Sequence, residues 1–159
     1  MFGRIGLHRN PMDYRAIVNL NHSRLMSNIL QITQSSQAAG LLRDSLSELD
    51  HEELWAIFLA GRNRVISTEM LTKGTLRATP IDARTVIKHA LLSNATGIIL
   101  VHNHPGGDPR PSRQDIRETD RVRFACNLMD IRLLDHVVLS VDSFYSMSDE
   151  RISNYSDHE

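Results

Sequence analysis

The sequence predicts an α/β fold in which a mixed β-sheet is flanked by helices. The first observation is the run 97–101, which is short, wholly apolar and rich in β-branched residues. Such a run is typical of a strand covered on both faces. The second is the helical spacing of apolar residues in the segments on either side of it. The third is a pair of apolar segments upstream, 54–60 and 65–71, joined by the turn 61–64 as in a hairpin.

The elements follow one another with short connections. A helix begins near Ser35 and carries apolar residues at helical spacing, namely Ala38, Ala39, Leu41, Leu42, Leu46 and Leu49. After the hairpin we expect a helix over 82–93, the strand 97–101, a helix over 113–129, a strand over 131–141 and a short strand over 144–147. This order predicts a single domain over 35–150, with an N-terminal extension (1–34) and a polar C-terminal tail (151–159).

Composition limits the classes of function. The 18 basic and 19 acidic residues give a formal net charge of −1, which argues against a nucleic-acid-binding protein, although residues 1–34 are mildly basic. The single cysteine, Cys126, excludes an intramolecular disulfide and suits a reducing compartment. No apolar stretch reaches membrane-spanning length and the N-terminus lacks a signal-peptide core. We therefore expect a cytoplasmic protein with no membrane contact.

The most specific feature follows the strand 97–101. It reads His-x-His-Pro-x(6)-Ser-x(2)-Asp, with His102, His104, Ser112 and Asp115 at the named positions. His-x-His alone carries little information in a chain with 8 histidines, but the added proline, serine and aspartate at fixed spacing make the pattern specific.

These positions predict a metal site. His102 and His104 point to the same side at the carboxyl end of a strand, because strand side chains alternate. Ser112 is a good N-cap, which places Asp115 in the first turn of the following helix. Two imidazoles, one carboxylate and an open fourth position are what a catalytic zinc site requires. Taken singly, Ser112 as a plain cap and Asp115 as a capping-box acid would be ordinary.

A hydrolytic zinc site also needs a general base. Glu69 is the only acid in the second hairpin strand and is the candidate; the alternative is an exposed edge glutamate. The pair Asp135-His136 lies within a predicted strand, so the two side chains point to opposite faces and cannot both face the metal. A metal-bound histidine usually donates to a carboxylate, so the pair could instead support a ligand or supply an extra one. We expect a structural role for that pair, and none for His89 on a helix surface.

The set Glu69, His102-x-His104-Pro105, Ser112 and Asp115 resembles the JAMM (JAB1/MPN) metalloprotease motif. Three further stretches look like the bacterial RadC-like JAB domain: Thr72-Lys73-Gly74-Thr75-Leu76, the run 102–108, and Leu133-Leu134-Asp135-His136. The resemblance covers roughly residues 35–150. It implies the α-β-α layering of the JAB/MPN fold, which is similar to that of cytidine deaminases.

The resemblance also implies a mechanism. His102, His104 and Asp115 would ligate Zn²⁺, with water as the fourth ligand. Glu69 would take a proton from that water and return it to the leaving amine, and Ser112 would stabilise the oxyanion. The implied activity is a zinc metalloprotease that cleaves a peptide or isopeptide bond in a protein or peptide substrate.

A second hypothesis is a RadC-like DNA-repair or mobile-element accessory protein that uses the zinc module for binding or structure. RadC-like proteins commonly carry a helix-hairpin-helix region ahead of the JAB domain, and residues 1–34 are too short for one. A nucleobase deaminase is set aside because it needs a Pro-Cys-x-x-Cys ligand pair, and the chain has one cysteine. The sequence gives no indication of oligomeric state.

Overall fold

A computed structural model of the chain describes residues 30–74 and 81–155. Over these ranges it has a six-stranded mixed sheet and three α-helices, which confirms the predicted α/β class. The helices are α1 (Ser35–Leu46), α2 (Ala83–Leu92) and α3 (Arg113–Leu128). The strands are β1 (Glu53–Ala60), β2 (Arg64–Lys73), β3 (Gly97–Asn103), β4 (Arg132–Leu139), β5 (Ser143–Ser146) and β6 (Arg151–Asn154).

The strands lie in the order β2-β1-β3-β4-β5-β6. β3 and β4 are parallel, and α3 is the crossover between them. All other neighbours are antiparallel, and three of these pairs, β1–β2, β4–β5 and β5–β6, are hairpins with short connections. The predicted hairpin is therefore confirmed as β1–β2, and its turn (Gly61–Asn63) lies at the end of the sheet opposite the carboxyl end of β3.

Helices cover both faces of the sheet. On one face, α1 buries Ala38, Ala39, Leu42 and Leu46 against a cluster that includes Ile99 and Val101. On the other, α2 and α3 contribute Val86, Ala90, Val122 and Cys126 to a cluster that includes Ile98 and Leu100. Successive residues of β3 thus enter opposite cores, which explains why the run 97–101 is apolar throughout.

The C-terminal boundary corrects the sequence-based prediction. Residues 151–154 form β6, paired antiparallel with β5, and Tyr155 is buried beside Phe144 with their ring centroids 5.6 Å apart. The expected polar tail is therefore wrong for 151–155, and 156–159 lie outside the described residues. The pattern gave no indication of β6 because this edge strand is largely exposed and has a single apolar residue, Ile152.

The N-terminal boundary also lies earlier than expected. Ile32 is in the core and its N–H donates to the Asn63 carbonyl at 3.0 Å, while Gln31 forms a bridge with Arg64. The domain thus includes residues 30–34, which the sequence placed in an extension; residues 1–29 of that extension lie outside the described part. Among the described helices, none is long and apolar enough to cross a membrane.

We expect Leu100→Ala to lower the free energy of unfolding by about 2–5 kcal/mol, because this central side chain is fully buried and its loss leaves a cavity. Leu92→Ala is the matched control: its side chain is 76% exposed, and its removal should cost less than about 0.5 kcal/mol. Urea unfolding followed by circular dichroism measures both. Equal losses would contradict the assignment of Leu100 to the core.

Candidate metal centre

Three predicted ligands meet at the carboxyl end of β3. His102 lies near the end of the strand and His104 just beyond it, and the backbone N–H of His104 is held by the Leu139 carbonyl at 2.8 Å. Asp115 comes from the first turn of α3. Their ligand atoms all lie within 4.8 Å of one another, so the fold brings together residues up to thirteen positions apart in the chain.

The distances suit one metal ion. The Nε2 atoms of His102 and His104 are 2.9 Å apart. Oδ2 of Asp115 lies 3.8 Å from Nε2 of His102 and 3.7 Å from Nε2 of His104. A triangle with these sides has a point about 2.0 Å from all three atoms, which is the bond length of Zn²⁺ to imidazole nitrogen and carboxylate oxygen. The three ligand atoms are therefore close enough together to share one metal ion.

The outer nitrogen of His104 fixes which ring atom is free to bind. Nδ1 of His104 lies 2.9 Å from the carbonyl oxygen of Asp108, which can only accept a hydrogen bond. Nδ1 therefore carries a hydrogen, and in the neutral ring Nε2 presents its lone pair to the centre. Nδ1 of His102 is likewise engaged on its outer side, 2.7 Å from Nε2 of His136. With both outer nitrogens as donors, two lone pairs face each other, an arrangement that a cation stabilises.

The surroundings set the charges of the three groups. Burial, together with His136 and His104, keeps the pKa of His102 well below its usual range. Burial also disfavours the charged form of His104, but hydrogen bonds to Asp115 and Asp108 outweigh it and raise the pKa of His104. For Asp115, burial is outweighed by His104 and His102, and its pKa is lowered. At neutral pH the set therefore contains a carboxylate and a neutral, buried imidazole, the forms that bind metal.

Ser112 and Asp115 form a capping box at the start of α3. The Ser112 hydroxyl oxygen accepts the Asp115 N–H at 3.1 Å, and Oδ2 of Asp115 accepts the Ser112 N–H at 2.6 Å. The two ordinary readings of these residues, helix cap and capping-box acid, are thus both true. They coexist with the cluster, because the cap holds the same carboxylate oxygen that faces the histidines.

Glu69 is the predicted site residue that the structure places elsewhere. It pairs with Ala56, which pairs in turn with Leu100, so it lies two strand spacings (roughly 10 Å) from β3. Its carboxylate is 2.7 Å from Nδ1 of His89 and 3.4 Å from the Ser93 hydroxyl, both at α2. This placement does not support Glu69 as the general base. It also corrects the view of His89 as a surface residue without a role, since His89 pairs with Glu69.

Glu52 is the acid beside the centre that sequence reasoning missed. Its negative charge contributes to the raised pKa of His104. The backbone on both sides of it is tied to Asn103, whose Oδ1 accepts the Glu53 N–H and whose Nδ2 donates to the His51 carbonyl, each at 2.8 Å. The signal that would have identified Glu52 is the antiparallel pairing of β1 with β3, because the start of β1 lies beside the carboxyl end of β3.

Asp135 and His136 point to opposite faces, as expected. Asp135 accepts from the Ser146 hydroxyl at 2.7 Å and the Ser148 N–H at 3.0 Å, on the α1 side. His136 is fully buried on the other side, against His102, and burial lowers its pKa to about 4. His136 therefore contacts a candidate ligand, which the predicted structural role did not include.

A cavity of about 340 Å³ lies on the α1 face of the sheet. Residues 32–36, Asn63, Asp135 and Arg151 are among those that line it. It includes none of the predicted site residues, so the metal centre is a separate place on the molecule.

An α/β domain with a histidine pair at the end of its central strand and an aspartate on the crossover helix has the architecture of the JAB/MPN class. Residues 32–152 match the sequence profile of the RadC-like JAB domain, and the chain belongs to this family.

Curated relatives carry the name UPF0758 protein. One from Flavobacterium johnsoniae is 40% identical over 122 residues, which cover 77% of this chain and 53% of that protein. One from Desulforudis audaxviator is 40% identical over 111 residues, covering 70% and 48%. One from Stenotrophomonas maltophilia is 49% identical over 88 residues, covering 55% and 38%. The chain therefore spans about half the length of the curated relatives it matches.

We expect the protein to bind one divalent transition-metal ion per chain, and His104→Ala and Asp115→Ala to lose it, because each removes one of three ligand atoms. His89→Ala is the control, since that imidazole is bound to Glu69 and not to the cluster. Elemental analysis after loading with Zn²⁺ or Co²⁺ and dialysis measures occupancy. Retention of metal by both ligand variants would place the ion somewhere else.

Proposed function

We propose that this protein is a zinc-dependent hydrolase of the JAMM type that cleaves a peptide or isopeptide bond in a protein or peptide substrate. The observation that carries the proposal is the cluster of His102, His104 and Asp115 with the carboxylate of Glu52 close by. Membership of the JAB superfamily supports it.

Zn²⁺ suits this donor set. Two imidazoles and one carboxylate also occur in non-haem iron sites, and the JAMM pattern favours zinc between the two. Zn²⁺ bound by two neutral imidazoles and one carboxylate would have a net charge of about +1. Zn²⁺ held there would lower the pKa of a water molecule toward about 7 and polarise a carbonyl group.

The chain's own residues then divide the work. Glu52 is half-buried and its charge acts on His104, so it would take a proton from the attacking water and return it to the leaving amine. Ser112 accepts the Asp115 N–H, and its O–H has no acceptor among residues 30–74 and 81–155, so it remains free to donate to an oxyanion. Glu69 is not part of this set.

A substrate approaches from the side of His104 and Asp115. The side chains of these two residues are 17% and 13% exposed, whereas that of His102 is 3% exposed and lies behind them. The centre therefore opens at the rim of the sheet, where α3 begins, and is closed toward the core.

We expect Glu52→Gln to reduce hydrolysis by about 10²–10⁴-fold, because glutamine cannot take up a proton, and to leave metal content unchanged. Glu69→Gln is the matched control and should retain hydrolysis, since its partner is His89. The assay incubates the zinc-loaded chain with a proteome-derived peptide library and a set of isopeptide-linked conjugates, and counts new termini by mass spectrometry. If Glu69→Gln abolished cleavage and Glu52→Gln did not, the general base would be Glu69 and not Glu52.

Nucleic-acid binding is the second candidate, favoured by a row of arginines on α3. Arg113, Arg117 and Arg121 are exposed, one helical turn apart, and have no acidic partner within 4 Å among the described residues. Asp120 lies on the same exposed side and reduces its net charge. The row starts beside the metal centre, so an anionic polymer lying along α3 would reach it.

If this second candidate holds, Arg117→Gln with Arg121→Gln should weaken binding to a 20-nucleotide DNA and reduce the salt dependence of log K by about 2, because two phosphate contacts are lost. Arg151→Gln is the control, as Arg151 pairs with Asp149 and lies on β6. Fluorescence anisotropy at several salt concentrations gives both quantities. No binding at 50 mM salt by the unchanged chain would exclude this function.

A further inference from the structure

We propose that Thr119 and His136 are positioning residues for the metal, forming a hydrogen-bonded chain through the interior that holds both His102 and the turn bearing Asp115. The inference rests on the metal site of the proposed function, but not on the hydrolytic activity. It concerns residues that touch neither substrate nor metal and act through two of the ligands.

The hydrogen-bonded chain consists of three short hydrogen bonds. Nδ1 of His102 lies 2.7 Å from Nε2 of His136. Nδ1 of His136 lies 2.6 Å from the Thr119 hydroxyl, which lies 2.6 Å from the backbone carbonyl of Asp115. Thr119 is 1% exposed, His136 is 0% exposed and His102 is 2% exposed, so no water competes for these bonds.

The donors and acceptors of this hydrogen-bonded chain can be assigned in one way only. The Asp115 carbonyl can only accept, so the Thr119 hydroxyl donates to it and accepts at its oxygen from Nδ1–H of His136. A neutral His136 then has a bare Nε2, which accepts from Nδ1–H of His102. His102 is thereby left with its lone pair on Nε2, the atom that faces His104 and Asp115. The terminal carbonyl thus selects the tautomer that can bind a metal ion.

The hydrogen-bonded chain also fixes the distances between β3, β4 and α3. His102 is on β3, His136 on β4 and Thr119 on α3, one turn after Asp115. Parallel pairing of β3 with β4 keeps the two imidazoles adjacent, with ring centroids 4.8 Å apart. The Thr119 hydroxyl then attaches the first turn of α3 to this pair. Two of three ligands are therefore held in register before any ion arrives, which reduces the ordering that binding requires.

A purely structural role makes a different prediction. If the chain only satisfied buried polar groups, breaking it would lower the stability of the metal-free protein and leave metal affinity as it was. If it positions the ligands, breaking it lowers metal affinity in a protein that still folds.

The test measures Zn²⁺ affinity of the full chain by competition with a chromophoric chelator, with thermal unfolding of the metal-free protein alongside. Thr119→Val removes the hydroxyl but keeps the shape, and should weaken Zn²⁺ binding about 10–100-fold. Thr119→Ser restores the hydroxyl and should stay within about threefold of the unchanged chain. Thr96→Val is the matched control: its hydroxyl also faces a backbone carbonyl, that of Leu59, remote from the ligands.

Unchanged Zn²⁺ affinity in Thr119→Val, or equal losses in Thr119→Val and Thr96→Val, would overturn the inference. Should Thr119→Val fail to fold, His136→Gln tests the same chain, because its side-chain oxygen can still accept from His102 while its link to Thr119 is lost; it should show the same weakening. The test does not depend on hydrolysis, so the two proposals can fail separately. A protein that binds Zn²⁺ tightly and needs Thr119 to do so, but cleaves no substrate in the separate assay, would reject only the proposed function.

Discussion

The pairing of β3 with strands on both of its sides is the constraint on which the site depends. Hydrogen bonds to β1 and β4 fix the strand along its length, and alternate side chains enter two separate cores. The backbone of His102 is consequently held from both sides, and that of His104 is held by β4 through Leu139. Because the chain then has to cross over to reach β4 in parallel, α3 starts beside the end of β3 and delivers Asp115 to the histidines.

The ligands and most of the elements could be predicted because local patterns specify them. An apolar β-branched run, a serine cap and the spacing of His102, His104 and Asp115 are properties of short stretches of sequence. The acid that lies beside the candidate ligands could not be identified in this way. Whether Glu52 or Glu69 lies beside the ligands depends on the register between β1, β2 and β3, which is set by tertiary pairing. The same holds for β6, whose edge position removes the alternation that marks a half-buried strand.

Burial of polar groups is concentrated behind the ligands. His102, Thr119 and His136 are almost completely buried, which is unfavourable unless every donor and acceptor is matched. Here the groups are matched in a sequence that ends on a backbone carbonyl, and the one exception is Nε2 of His102, which faces His104 and Asp115. Such an arrangement leaves little room for substitution: an apolar replacement at one member exposes a polar atom of the next. The candidate site is therefore closed and fixed on the side of His102, and open to solvent on the side of His104 and Asp115.

The bridge between Gln31 and Arg64 has a consequence for architecture. It lies at the hairpin end of the sheet, and β1 alone spans 8 residues, roughly 26 Å, before the ligand end is reached. The backbone therefore enters the described domain at the end of the sheet opposite His102, His104 and Asp115. A tag fused directly to residue 30 of a truncated chain would therefore start about one strand length, roughly 26 Å, from the three candidate ligands.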